Sequence, residues 1–309
     1  MHLLVIGGPT ATGKTALAAE LAYTLGASVI SADSRQIYRG LDLGTGKDLV
    51  EFRRYRPEVP YHLIDIVEPQ EVYSLFQYQA DCYRVMEQLS GSGGSQGGGG
   101  VAVMVGGTGM YMEAVLRRYR IANVPEDVGL RESLGSREQT DLIEDLKRMD
   151  PELAARTDTS SKKRIIRALE VAHWALERPV EYSRLPEWPF TYTAFATALD
   201  RSVQRARIDR RLMERLQAGM VEEVEGLLKQ GVAPARLKLL GMEYRQIVSF
   251  LLGEKTKTAM IEDLKHEIHL LAKRQETYFR GMERRGVPIQ WLPEGQGVET
   301  ILKTWRGKA

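Results

Sequence analysis

Gly8-Pro9-Thr10-Ala11-Thr12-Gly13-Lys14-Thr15 sets two glycines, a lysine and a hydroxyl in the spacing G-x-x-x-x-G-K-[ST]. That spacing is built to hold phosphate. Backbone N–H groups of a tight turn, and the positive end of the helix that follows, face an anion. Lys14 would reach a terminal phosphate, and the Thr15 hydroxyl would ligate a magnesium ion. The mechanism needs a strand before the loop and a helix after it. Leu3-Leu4-Val5-Ile6 is the unbroken apolar run of a buried parallel strand, and Ala16, Leu17, Ala19, Ala22 and Leu25 follow at helical spacing.

Further candidates stand at the ends of other strand-like runs. Ala27-Ser28-Val29-Ile30-Ser31-Ala32 predicts a strand and leads into Asp33-Ser34-Arg35-Gln36-Ile37-Tyr38. Ligands gather beyond the carboxyl ends of parallel strands, so Asp33 would face the same crevice as the loop. A carboxylate there would hold magnesium or accept a proton. It would equally serve as a helix N-cap, and spacing leaves these readings level. Val101-Ala102-Val103-Met104-Val105 predicts another buried strand, running into Gly106-Gly107-Thr108-Gly109. Glycines there would admit a ligand close to the backbone, or simply make a tight turn. Residues 61–66 predict a strand whose His62 and Asp65 read as structural. Gly44-Thr45-Gly46-Lys47 reads as a flexible turn carrying a cation.

The elements that position these groups follow from periodicity. A helix capped by Ser74 is expected over 74–89, and the glycine-rich stretch 91–100 reads as a surface connector without chemistry. From about residue 116 the strand runs stop, and polar helical segments continue to about 189. There Lys162-Lys163-Arg164-Ile165-Ile166-Arg167 opens a helix. Cations at a helix start oppose its dipole, so they suit either an external polyanion or a solvated face paired with acids. A strand is expected over 191–199. Arg201, Arg205, Arg207, Arg210, Arg211 and Arg215 then crowd one helix, with Arg207 and Arg211 on one face. That face suits a diphosphate or an RNA backbone, or salt bridges to Asp209 and Glu214. The remainder reads as helical, with a long apolar seam over 257–284.

Composition narrows the class. The chain has 309 residues, enough for a full α/β domain plus a second module, and a formal net charge of +2 that announces no polyanionic partner. Its single cysteine, Cys82, excludes a disulfide framework and a multi-cysteine zinc site. No secretory signal and no membrane-spanning run is read, so a cytoplasmic location is expected.

Taken in order, these pieces resemble the tRNA dimethylallyltransferases (tRNA isopentenyltransferases) of the bacterial type. The resemblance rests on GPTATGKT at 8–15, ISADSRQIYRGLDLGTGK at 30–47, HLIDIVEP at 62–69 and VGGTGMY at 105–111. It continues through DPELAAR at 150–156, RIIRALEV at 164–171, GMEYRQI at 241–247 and LAKRQETYFRG at 271–281. It implies a P-loop NTPase-like parallel sheet flanked by helices (residues 1–115 and 190–309) with a small all-helical insertion over 116–189 that contacts tRNA. It also implies transfer of a dimethylallyl group from dimethylallyl diphosphate to N6 of the adenosine 3′ of the anticodon, in tRNAs reading U-starting codons. Residue by residue, Asp33 is similar to the family's general base. Lys14, Thr15 and Arg211 resemble its diphosphate clamp, Thr10, Ala11, Thr12 and Gly13 line the donor site with Gly8 and Pro9, and Thr15 holds Mg2+. Asp33, Ser34, Arg35, Gln36, Thr108, Arg131, Lys163, Arg164, Ile165, Ile166 and Arg167 match positions that contact tRNA. A monomer is implied. The rival readings are a prenyltransferase acting on free adenine nucleotides, a P-loop small-molecule kinase, and a non-catalytic RNA-binding protein on the same fold.

Overall fold

A computed structural model of the chain describes residues 1–91 and 100–307. The interior of the glycine-rich connector expected at 91–100 lies outside the described residues. Two compact units emerge, residues 1–118 with 186–309, and residues 119–185. The second unit is a few residues shorter at each end than the 116–189 expected. The reason is local: Arg118 lies 5.0 Å over the Phe190 ring and donates to the Trp188 carbonyl at 3.2 Å, which ties both ends into the first unit.

The first unit is built on six strands: β1 (His2–Gly7), β2 (Ser28–Ser31), β3 (Tyr61–His62), β4 (Val101–Val105), β5 (Thr191–Thr197) and β6 (Ile289–Leu292). They form one sheet in the order β3-β2-β4-β1-β5-β6, with every pairing parallel. Before the second unit come α1 (Lys14–Leu25), α2 (Val50–Arg53), α3 (Leu75–Gly91) and α4 (Gly109–Leu116). The second unit holds α5 (Val128–Gly135), α6 (Gln139–Met149), α7 (Pro151–Arg156) and α8 (Lys162–Glu177). After it come α9 (Arg201–Gln217), α10 (Met220–Lys229), α11 (Pro234–Leu239), α12 (Met242–Leu251), α13 (Lys257–Arg284) and α14 (Val298–Arg306).

A central parallel strand has no wet face, and Leu3, Leu4 and Ile6 of β1 are fully buried. The small residues Ala18, Ala19 and Ala22 let α1 pack closely on Leu4, Ile6, Val29 and Val103. A second core joins Ile37 and Leu41 to Leu212, Val224, Leu237, Tyr244, Ile247 and Leu264 of the C-terminal helices. Each such side chain removed from water contributes roughly 1.5–3 kcal/mol. Register then levels the strand ends: Ile6 and Ser31 both pair with Val105, and Gly7 pairs with Ala196. The loops leaving β1, β2, β4 and β5 therefore emerge at one edge of the sheet.

Ser74 caps α3 as expected: its hydroxyl accepts from Gln77 N–H at 3.2 Å, and Gln77 Oε1 accepts from Ser74 N–H at 2.8 Å. Three expectations need correction. The strand expected at 61–66 ends at His62, because Leu63 (φ 62°) and Asp65 (φ 55°) turn into the left-handed region. The chain there folds back so that Ile66 N–H bonds Ile37 O at 2.8 Å. Residues 44–47 are not a loose turn. The Lys47 side chain is fully buried, donates to Tyr38 O at 2.6 Å and pairs with Asp42 and Asp65. The C-terminal part is not wholly helical, since β6 extends the sheet beside β5.

The second unit packs Leu134, Leu142, Leu146, Ile165 and Leu169 into its own core. Among its described residues one antiparallel bridge, Ala122 with Tyr182, interrupts the helical pattern.

Candidate active site

At the sheet edge the Gly8 loop wraps tightly on β5. Gly8 has φ +136°, and a Cβ there would lie 2.5 Å from Thr197 Oγ1, so only glycine fits. Thr12 locks the turn, donating to Pro9 O at 2.9 Å with its hydroxyl 2.6 Å from that of Thr197. Both backbone polar groups of Thr10 are held. Its N–H is accepted by Gln275 Oε1 at 2.8 Å, and its carbonyl accepts from Gln204 Nε2 at 3.0 Å. Gly13, in the left-handed conformation, passes the chain into α1.

Beneath the loop opens a cleft of about 540 Å³. Thr10, Ala11, Gly13, Lys14 and Thr15 line it from one side and Asp33, Arg35 and Gln36 from another. Gly106 and Gly107 form its floor, and Arg207, Arg210, Arg211 and Arg215 of α9 reach in from the flank. The structure thus brings the expected diphosphate residues and the expected base to one cavity.

Its electrostatics favour an anion. Burial pushes the Lys14 ammonium down to about 8, against the opposing pull of the Asp33 carboxylate, and the nearby Arg211 adds to the lowering. Lys14 Nζ donates to Pro9 O at 2.5 Å. Arg211 Nη2 lies 2.5 Å from Asp48 Oδ2, and Arg215 Nη2 is 3.9 Å from Asp48 Oδ1. Asp48 so gives α9 a partial counter-charge. Arg207 differs, because its Nη2 sits 2.6 Å from Glu294 Oε1.

Asp33 leaves β2 in a turn, not a helix: its Oδ1 accepts from Arg35 N–H at 3.0 Å, and no helix opens there. The helix N-cap reading therefore gives way to a carboxylate presented at the cleft wall. Ser34 N–H donates to Thr108 Oγ1 at 3.0 Å, hooking the β2 loop to the β4 loop. At Gly106 a Cβ would stand 2.1 Å from Ala32 O, so the two strand ends approach as closely as backbones allow. Arg35 is ion-paired with Glu243, and Gln36 Nε2 donates to Gly46 O at 3.3 Å.

A hard cation suits this donor set. Among the described residues no group of three His, Cys, Asp or Glu side chains forms a cage. A hard divalent cation that keeps several waters and binds substrate phosphates needs only one or two protein oxygens, and the Thr15 hydroxyl at the cleft wall could supply one.

The other expected residues belong to the second unit. Arg131 makes a two-pronged pair with Glu170, both contacts at 2.7 Å, and its Nη1 is 2.8 Å from Glu126. Arg167 donates to Glu170 at 3.0 Å and to Val124 O at 2.7 Å. Arg164 pairs with Asp158, Ile166 packs against the unit's core, and Ile165 is fully buried within it. Lys163 is exposed.

Sequence reasoning missed Asp48, Glu243, Gln204 and Gln275, and gave Arg215 no role of its own. Arg215 could have been found, lying four residues beyond Arg211 on the same helix face. Gln275 carries no local signal, since its partners are more than 160 residues away.

Comparison with known proteins points to one family. Residues 36–282 match the IPP transferase family, and residues 1–54 match the isopentenyl transferase family. A tRNA dimethylallyltransferase 1 of Geotalea uraniireducens is 44% identical over 96% of this chain and 93% of its own length. Another, from Syntrophus aciditrophicus, is 42% identical over 99% and 98%. The crystal structure of a tRNA isopentenylpyrophosphate transferase from Bacillus halodurans superposes with a TM-score of 0.69 at 29% identity, covering 99% of this chain and 95% of that one. A cleft that gathers a phosphate-binding loop, an arginine flank and the Asp33 carboxylate, on a chain matched over nearly its whole length, places this protein in the tRNA dimethylallyltransferase family.

Proposed function

We propose that the protein transfers the dimethylallyl group of dimethylallyl diphosphate to N6 of the adenosine 3′ of the anticodon, in tRNAs reading U-starting codons. The observation that carries this reading is the single cleft lined by Lys14, Thr15, Arg211 and Asp33. The diphosphate would lie along the Gly8–Thr15 loop, with Lys14 and Arg211 on its oxygens. Negative charge grows there as the carbon–oxygen bond breaks, so these cations act most strongly in the transition state. Mg2+, held by Thr15 and the diphosphate, would supply further neutralisation of the leaving group.

On the other wall Asp33 takes the proton. An exocyclic adenine amine is a poor nucleophile, its lone pair being conjugated with the ring. As N6 bonds the allylic carbon and diphosphate departs with its electron pair, Asp33 accepts an N6 proton, leaving a neutral secondary amine. Reaching N6 requires the adenosine to leave the anticodon stack, at a cost of roughly a few kcal/mol. We assign RNA contact in the first unit to Asp33, Ser34, Arg35, Gln36 and Thr108. In the second unit the exposed Lys163 and Arg164 are the contacts, with Ile166 beside them, while Arg131, Ile165 and Arg167 shape the helix that carries them. We read the enzyme as a monomer, as its resemblance to the family implies. Among the described residues no helix is long and apolar enough to cross a membrane, and we place the reaction in the cytoplasm.

The test mixes purified protein, magnesium and labelled dimethylallyl diphosphate with an anticodon stem-loop, and in a parallel tube with AMP. Label in the RNA alone is expected. Label in AMP alone would instead identify an enzyme of free adenine nucleotides, and label in neither would remove the prenyl-transfer reading.

A further inference from the structure

We propose that Gln275 is a positioning residue: its side-chain amide fixes the separation between the diphosphate loop and the proton-accepting wall of the cleft. Gln275 Oε1 accepts from Thr10 N–H at 2.8 Å, and Gln275 Nε2 donates to Gly107 O at 3.0 Å. One amide thus bridges the loop after β1 and the loop after β4. The latter also carries Thr108, the hook of the Asp33 turn. The orientation is set by chemistry, since exchanging the amide's oxygen and nitrogen would place oxygen against a carbonyl and N–H against N–H.

The rest of α13 is shaped to bring this amide in. A Cβ at Gly107 would stand 2.4 Å from Gln275 Nε2, one at Gly7 2.4 Å from the Phe279 ring, and one at Gly109 2.3 Å from the Tyr278 ring. Glycines at these three places let the helix ride directly on the strand ends. Farther along, Tyr278 Oη and Arg285 both bond the buried Glu113 of α4, at 2.6 and 2.6–2.7 Å, which anchors the helix. The Thr10 carbonyl is held from α9 by Gln204, so the two glutamines fix the peptide planes on either side of the Thr10 Cα. With Thr10 N–H committed to Gln275, the loop offers the diphosphate its later N–H groups, at a depth that Gln275 sets.

The inference rests on the prenyl-transfer reading, and its test separates the two. Gln275→Met keeps length and removes both hydrogen bonds. Binding of inorganic pyrophosphate with magnesium, read by calorimetry, is expected to weaken about three- to tenfold. Turnover at saturating donor and stem-loop should fall about 10- to 100-fold, as expected for reacting groups displaced by a fraction of an ångström to one ångström. Stem-loop affinity should stay within about twofold, and the melting temperature should fall by no more than about 4 °C. Gly107→Ala, whose Cβ would expel the amide, should cost a similar factor alone and little more when combined with Gln275→Met. Unchanged pyrophosphate affinity and turnover in Gln275→Met would overturn the proposal, as would full additivity of the two variants. Failure of the wild-type protein to label the stem-loop would defeat the reaction itself, whereas the pyrophosphate arm reports on Gln275 regardless.

Discussion

Two helices of this chain carry crowded cations, and the structure uses them in opposite ways. On α9, Arg211 and Arg215 line the cleft and share one carboxylate, Asp48, while Arg210, also at the cleft, pairs with Glu214. At the start of α8, Arg164 is paired with Asp158, while Arg167 and Arg131 converge on Glu170, whose side chain is 1% exposed. The first group has more positive charge than its neighbours cancel, and it borders a cavity. The second is mostly closed on itself and holds a small unit together. A run of basic residues therefore does not distinguish a binding site from a scaffold; the position of the acids does.

The largest effect expected from this contrast is at the cleft. Arg211→Ala should lower kcat/KM by about 10²- to 10³-fold, as for removal of a group that stabilises leaving-group charge, with stem-loop affinity nearly unchanged. Equal loss of RNA affinity would erase the contrast. Glu170→Ala should act on stability instead. It takes the shared carboxylate from Arg131 and Arg167, which keep Glu126 and Val124 O, and should cost the second unit roughly 1.5–3 kcal/mol, read by hydrogen exchange over 119–185, while pyrophosphate binding persists. A loss of pyrophosphate affinity as large as that of Arg211→Ala would show the two groups to be one system.

Acidity probes the same two places with opposite signs. Burial alone would raise the Glu170 carboxyl, but the bonds from Arg131 and Arg167 hold it below its ordinary value. Its stabilising contribution is thus full at neutral pH and is lost as pH falls through that depressed value, below the ordinary carboxylate range. Lys14 works the other way. With its ammonium at about 8 in the free cleft, pyrophosphate affinity should hold below pH 7 and decline as pH rises past 8, by about tenfold at pH 9. Lys14→Arg, charged throughout, should flatten that decline. The smallest effect belongs to the exposed cations of α8. Lys163→Ala should weaken stem-loop binding about two- to fivefold and reduce the slope of affinity against salt by about one. An unchanged slope would remove Lys163 from the RNA interface.

Much of the first unit was legible in the sequence, because its signals are contiguous. A buried strand, a glycine loop, a lysine and a helix follow one another within 25 residues, and the Asp33 turn directly follows its strand. What escaped prediction depends on distant partners. Residues 61–66 have strand composition, yet Asp65 leaves the sheet to neutralise the buried Lys47, a pairing that composition does not reveal. The strand β6 has only four residues, and it is a strand because β5 lies beside it. Gln275 reads as an ordinary polar position in a long helix until Thr10 and Gly107 are folded against it. For the cations of α8, spacing admitted an external polyanion but favoured a solvated face paired with acids; Asp158 meets Arg164 and Glu170 meets Arg167 from within.

The central claim is that one cleft holds a prenyl diphosphate while Asp33 removes a proton from an RNA base. Single-turnover transfer to a saturating anticodon stem-loop by Asp33→Asn tests it most directly, because the amide keeps the shape and cannot accept the proton. A fall of about 10²- to 10⁴-fold, with the stem-loop dissociation constant unchanged within about twofold, is the predicted result. Transfer by the Asn variant within about threefold of the wild-type rate would contradict it.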